Sequence, residues 1–182
     1  MAEYAEDAAM MADVARGNAD AFERLMDRYG NSVYAFAWRL CGDKPLTDDI
    51  TQDVFLKVWL NAGKWQPSAK LTTWLYQMTY HCYVDRCRRM KQTVSDDALT
   101  EMASNEQSPE EALAQKDVSE RVAKAINALP ASQREALILC YYQEMTSKEA
   151  AECLGTSQTA VESLLFRARQ TLKEKLVADK GG

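Results

Sequence analysis

The stretch EAAECLGTSQTAVESLLFRARQTL, Glu149 to Leu172, sets a single glycine, Gly155, between two segments whose alanines and leucines recur at helical spacing. Two helices joined by so short a turn make a helix-turn-helix. Counting Ser147 as the first of twenty positions, Ala151 falls fifth, Gly155 ninth and Val161 fifteenth. The fifth residue must be small because the helices cross tightly there. The ninth must enter the left-handed backbone region, and the fifteenth must fill the space between the helices.

On the second helix, expected over 157–178, Val161, Leu165, Ala168, Leu172 and Leu176 form an apolar stripe. Gln158, Thr159, Glu162, Ser163, Phe166, Arg167 and Gln170 remain on or near the outer face, with Arg169 beside them. A helix of this length spans about 33 Å, enough to offer its N-terminal half to base edges in a major groove and its C-terminal half to phosphates. Arg134 and Lys148, on the helices that precede it, complete this set of candidate DNA contacts. The bland alternative is a helical hairpin with a solvated charged face.

At 182 residues and 47% hydrophobic content, the chain has enough apolar surface for one ordinary domain or two small ones. Glycine and proline are few, and Ala, Leu, Glu, Lys, Gln and Met dominate, so the expected fold class is all-α. The N-terminus is acidic where a secretory signal is basic, and no apolar run approaches the roughly 20 residues of a membrane span. A cytoplasmic protein without membrane insertion is expected. Five scattered cysteines, Cys41, Cys82, Cys87, Cys140 and Cys153, read as reduced thiols on apolar faces rather than a disulfide framework. With no C-x-x-C pair and one histidine, no metal is expected. With no nucleophile motif and no glycine-rich phosphate loop, neither an enzyme nor a cofactor is expected.

The net charge of −5 conceals an uneven spread: residues 1–19 carry −3, 20–92 carry +3, 93–119 carry −6 and 120–182 carry +1. The acidic average therefore does not exclude nucleic acid, because RCRRMK, Arg86 to Lys91, packs four positive charges into six residues.

Residues 92–111, QTVSDDALTEMASNEQSPEE, are polar, acidic and aperiodic, which is linker composition. They divide the chain into an N-terminal domain, 1–91, and a C-terminal domain, 112–182. Helices are expected near 19–41, 47–62 and 71–91, with a short one possible before Gly17, and then near 110–128, 131–142, 147–154 and 157–178. Thr47, followed by Asp48 and Asp49, reads as the cap of the second of these. Thr146 with Glu149 has capping-box spacing.

In the first domain, TTWLYQMTYHCYVDRCRRMK (Thr72 to Lys91) gathers Trp74, Tyr76, Gln77, Tyr80, His81, Tyr83, Arg86, Arg88, Arg89 and Lys91 on one helix. Rings interleaved with cations suit unstacked bases and their phosphates. The competing reading is that the rings are core, and for Trp74 a core contact with one exposed edge is expected.

The order DAFERLMDRYGNSVYAFAWRLCGD, DDITQDVFLKVW, TTWLYQMTYHCYVDRCRR, acidic linker, LPASQREALILCYYQEMTSKEAAECLG, AVESLLFRARQTL resembles a bacterial extracytoplasmic-function sigma factor over residues 18–176. The resemblance implies a non-enzymatic initiation subunit, monomeric when free, that binds core RNA polymerase through the coiled coil of its largest subunit and through its flap. It implies that Asp49, Gln52, Asp53, Phe55 and Trp59 dock on that coiled coil. The helix from Trp74 to Arg89, with the loop from Lys64 to Leu71, would recognise and melt the minus-ten element. The helix-turn-helix would read the minus-thirty-five element, and an anti-sigma factor would be a further partner. Four residues depart from the family pattern: His81 stands for Asn, Ala160 for Thr, Glu162 for a basic residue and Leu164 for Arg. Leu164 forms no hydrogen bond to a base, and Glu162 repels phosphate unless it accepts from a cytosine amino group. His81, Glu162 and Leu164, together with the net acidity, motivate one alternative, a sigma mimic that titrates an anti-sigma factor; a separate reading is an ordinary two-domain repressor with a ligand-sensing first domain.

Overall fold

The computed structural model describes residues 2–67, 70–93 and 121–178, and every regular element among them is helical. The chain divides into two compact units, Met1–Asn105 and Glu106–Gly182. The acidic stretch beyond Thr93, and the part of the expected helix 110–128 before residue 121, lie outside the described residues.

The first unit contains α1 (Ala2–Ala15), α2 (Ala19–Cys41), α3 (Lys44–Asn61), a 3-10 turn (Ala62–Lys64) and α4 (Leu71–Thr93). Asn18 starts α2 by accepting the Ala21 N–H at 3.1 Å, and Gly42, at φ 64°, ends it by returning its N–H to the Trp38 carbonyl. The next helix begins at once, and three residues earlier than expected. Its cap is Asp43, whose Oδ1 accepts the Leu46 N–H at 2.8 Å, and Pro45 fits the first turn because that position needs no N–H donor. Thr47, expected as the cap, is instead fully buried inside the helix, donating to the Asp43 carbonyl at 2.6 Å and meeting Cys41 Sγ at 3.1 Å.

The acidic N-terminal segment is also more than a tail. Along α1, Met11 and Val14 enter the core at 1% and 2% exposure. Asp7 is buried as well and accepts the Tyr29 hydroxyl at 2.6 Å, while Arg28 of α2 reaches Glu6 at 3.3 Å. The core among these four helices is built from Leu25, Val33, Ile50, Val54, Leu71 and Leu75, each such side chain contributing about 1.5–3 kcal/mol when fully buried.

The second unit contains α5 (121–127), α6 (Ala131–Leu137), a π turn (Ile138–Tyr142), α7 (Ser147–Leu154) and α8 (Gln158–Ala178). The expected helix 131–142 therefore changes pitch halfway. The wider turn, closed by the Gln143 N–H on the Ile138 carbonyl at 3.2 Å, buries Ile138 and Leu139 while leaving Tyr141 and Tyr142 exposed. Glu144 follows at φ 53°, a left-handed conformation that non-glycine residues rarely adopt. The Thr146–Glu149 capping box forms in both directions and starts α7 at Ser147.

Candidate nucleic-acid and polymerase-binding surfaces

The turn between α7 and α8 is built as the spacing requires. Gly155 takes φ 63°, and its N–H returns to the Ala151 carbonyl. Ala151 is 5% exposed and Val161 is fully buried. Ser157 opens α8 by accepting the Ala160 N–H at 3.2 Å. Val161, Leu165 and Ala168 are buried, and Leu172 and Leu176 half-buried, so the apolar stripe faces inward. Gln158, Thr159, Glu162, Ser163, Phe166, Arg167 and Gln170 are all exposed, Phe166 to 61%.

Three of these outer side chains are locally ordered. The Gln158 amide donates to Glu162 Oε1 at 2.9 Å, and the Ser163 hydroxyl donates to the Thr159 carbonyl at 2.9 Å. Arg169 is drawn aside: its Nε donates to the Tyr141 hydroxyl at 2.9 Å, and its guanidinium lies 5.7 Å from that ring's centroid. The sequence reading missed Tyr141, whose only local signal is a tyrosine pair before a turn. Lys148 is exposed at the start of α7. Arg134, expected at DNA, is half-buried and donates to the Asn127 carbonyl at 3.2 Å, joining α6 to the end of α5.

On α4 the interleaved rings sort onto different faces. Leu71, Leu75, Thr79 and Cys82 point into the core. Tyr80 is buried with them at 8% exposure, its ring 6.2 Å from Tyr83, so it offers no free face to a base, contrary to expectation. Tyr76 is half-buried, edge-on to Phe36 at 5.2 Å. Trp74 packs against the core as a half-buried residue. Gln77 is half-buried, and His81, Arg88 and Arg89 are exposed. Lys64, in the turn before the loop, donates to Asn61 Oδ1 at 2.7 Å. The Lys91 side chain lies outside the described set.

Arg86 also departs from its expected role. Its Nε and Nη2 donate to Asp53 Oδ2 at 2.9 and 2.8 Å, and its Nη1 donates to Asp49 Oδ2 at 2.7 Å. The hydrogen bond to Asp53 raises its already high pKa, so the guanidinium stays charged. This side chain ties α4 to α3, assisted by Lys57 and Asp85 at 3.8 Å, and its charge is paired with the two carboxylates of α3.

On α3, Asp49 and Gln52 are exposed and Asp53 is half-buried. Phe55, expected at a partner surface, is buried at 8% and meets Phe22 edge-on at 6.3 Å. Trp59 is half-buried against the same ring at 5.0 Å. The residues that reach solvent instead are Leu56 and Leu60, 57% and 69% exposed. With Asp49, Gln52 and Asp53 they fall at spacings of three, four and seven, which is one helix face. Their signal was present in the sequence as leucines out of register with the stripe of Ile50, Val54 and Val58.

Burial pushes the thiols of Cys82 and Cys140 up, and that of Cys153 up to about 12, with Glu135 adding to the last. Among the described residues no cluster of His, Cys, Asp and Glu has the arrangement of a metal site, and no helix is long and apolar enough to cross a membrane.

Comparison with known proteins places these surfaces in a family. Residues 25–93 match Sigma-70 region 2 and residues 119–172 match Sigma-70, region 4. The ECF RNA polymerase sigma factor SigM of Bacillus subtilis (strain 168) is 33% identical over 154 residues, 83% of this chain and 92% of its own length. SigW of the same strain is 26% identical over 173 residues, 90% of this chain and 92% of its own. Among solved structures, the sigma factor RpoE in complex with the anti-sigma factor NepR from Bartonella quintana is 26% identical with a TM-score of 0.72, covering 87% of this chain and 98% of that one. CnrH in complex with the cytosolic domain of CnrY is 26% identical with a TM-score of 0.66, covering 96% and 99%. The two units thus carry sigma regions 2 and 4 in order, and the chain belongs to the extracytoplasmic-function family of RNA polymerase sigma factors.

Proposed function

We propose that this sigma factor engages core RNA polymerase through the exposed face of α3 and reads promoter DNA with α8 and the exposed side of α4. The observation that carries the reading is the outer row of α8, where Gln158, Thr159, Glu162, Ser163, Phe166 and Arg167 stand in solvent on a helix oriented by a glycine turn and an apolar stripe. A major groove admits such a helix. For the minus-ten element, His81, Arg88 and Arg89, with Gln77 and the edges of Trp74 and Tyr76, form the accessible set. Tyr80 and Arg86 serve the fold. For the polymerase, Asp49, Gln52 and Asp53 are joined by Leu56 and Leu60, an exposed apolar pair rimmed by acidic and polar groups, a common composition at protein interfaces.

In this reading the domains are 1–91 and 112–182, with 92–111 as the tether, and the protein acts in the cytoplasm beside RNA polymerase without catalytic chemistry of its own. An anti-sigma factor holds it inactive, a role supported by the solved RpoE–NepR complex.

The direct test is run-off transcription with purified core RNA polymerase on promoter fragments from the source genome, with and without the protein. Discrete new transcripts are expected. Silence from a folded protein that still binds an anti-sigma factor would favour the titrating mimic instead.

A further inference from the structure

We propose that Glu162, Ser163 and Phe166 form an acceptor-and-apolar patch on the base-reading face of α8, which selects a base carrying an exocyclic amino group, cytosine or adenine, close to a thymine methyl. This rests on the assignment of α8 to the minus-thirty-five element and names what that helix reads.

The hydrogen-bond pattern carries the inference. A carboxylate only accepts, so the Gln158 atom facing Glu162 Oε1 at 2.9 Å is the amide nitrogen. That bond holds the Glu162 side chain over the first turn of α8 through Oε1, and in this exposed residue Oε2 is a further acceptor. At the next residue, the Ser163 hydroxyl donates its only hydrogen to the Thr159 carbonyl at 2.9 Å, so toward a ligand its oxygen presents lone pairs. Glu162 and Ser163 therefore offer acceptors side by side. In the major groove, guanine shows only the acceptors N7 and O6, and thymine the acceptor O4, which both oppose a carboxylate. The groups that satisfy it are the cytosine N4 and adenine N6 amino hydrogens.

Phe166 supplies the second half. It follows Glu162 by four residues and Ser163 by three, so it lies on the same face, and it is 61% exposed. Its ring sits about 6 Å further along the helix axis, one to two base steps, where an apolar group in the groove meets a thymine methyl. Arg167, exposed beside it, remains the donor of this half of the helix.

The experiment is selection of promoters from a library randomised across the minus-thirty-five element, using holoenzyme assembled from core RNA polymerase and the full chain. Wild type is expected to enrich cytosine or adenine at one position and thymine one or two steps away. Glu162→Gln, whose amide donates as well as accepts, should admit guanine or thymine at the first position and cut discrimination there by about tenfold. Phe166→Ala should relax the thymine alone. Because the readout is base preference, loss of folded protein does not mimic either result. A wild-type element whose pattern is unchanged by Glu162→Gln and Phe166→Ala overturns this inference while leaving α8 as the reader. Holoenzyme that enriches no base across this element overturns the assignment of α8 itself.

Discussion

Arg86 sits in the most basic stretch of the chain, yet its half-buried guanidinium is paired with two aspartates. The pairing matters because a cation already paired with protein carboxylates displaces few counterions from DNA, whereas an exposed cation that contacts a phosphate releases them. Arg86→Ala is expected to cost about 1 kcal/mol of stability by urea titration, the upper end for partly exposed ion pairs and reasonable for a two-carboxylate network. It should leave the salt dependence of promoter binding at its wild-type slope. Arg88→Ala should do the reverse, with wild-type stability and a slope shallower by about 0.7–0.9. Equal slopes for the two variants would return Arg86 to the DNA surface.

Cys153 gives a second expectation for a single residue. Its folded thiol is raised to about 12 from the ordinary value of 9.0, chiefly by burial. Between those values the unfolded chain binds fewer protons at this site than the native one, so stability contributed by the site is intact below pH 9 and falls as pH rises toward 12. Cys153→Ala should flatten that fall relative to wild type in stability measurements across the same range.

The elements depend on a few termini that do more than propensity does. The α7–α8 turn needs Gly155 at φ 63°, and apart from the adjoining chain no atom lies within 4 Å of a Cβ placed there, so any cost of substitution is in the backbone. Gly155→Ala is expected to destabilise the second unit by about 1–2 kcal/mol, the price of a left-handed alanine, and Gly155→Asn by less. Thr146→Ala, which removes the cap from α7, should cost about 1 kcal/mol. Thermal melts monitored by helical circular dichroism measure both. The start of α3 teaches the converse lesson: Thr47 is the expected cap, but the helix starts at Asp43, whose carboxylate reaches the Leu46 N–H while Pro45 fits the turn behind it.

For the whole molecule, two units with separate surfaces predict separable defects. Leu60→Asp places a charge in the exposed apolar pair of α3, where no core packing is lost because the residue is 69% exposed. Affinity for core polymerase should fall at least about tenfold, the scale of an interface hot spot, with folding stability unchanged. Arg167→Ala should leave core affinity intact and weaken selection of the minus-thirty-five element. Pull-down with core polymerase and run-off transcription separate the two. A loss of core binding from Arg167→Ala of the same size as from Leu60→Asp would contradict the division of labour.

The helical class, the helix-turn-helix with its glycine, and the outward row of α8 were legible from the sequence by itself, because helical periodicity and a lone glycine are local properties of the chain. The family was legible too, from motifs in order. Tertiary structure alone decided which aromatics and cations are available. Tyr80, Phe55 and Arg86 look like ligand contacts in one dimension, but a ring is claimed by whichever neighbouring helix buries it, and a guanidinium by whichever carboxylates the packing of α3 and α4 brings within 3 Å. The same packing left Leu56 and Leu60 in solvent and drew α1 into the core through Met11, Val14 and the buried Asp7–Tyr29 pair. These outcomes depend on contacts between residues distant along the chain, and no local pattern encodes them.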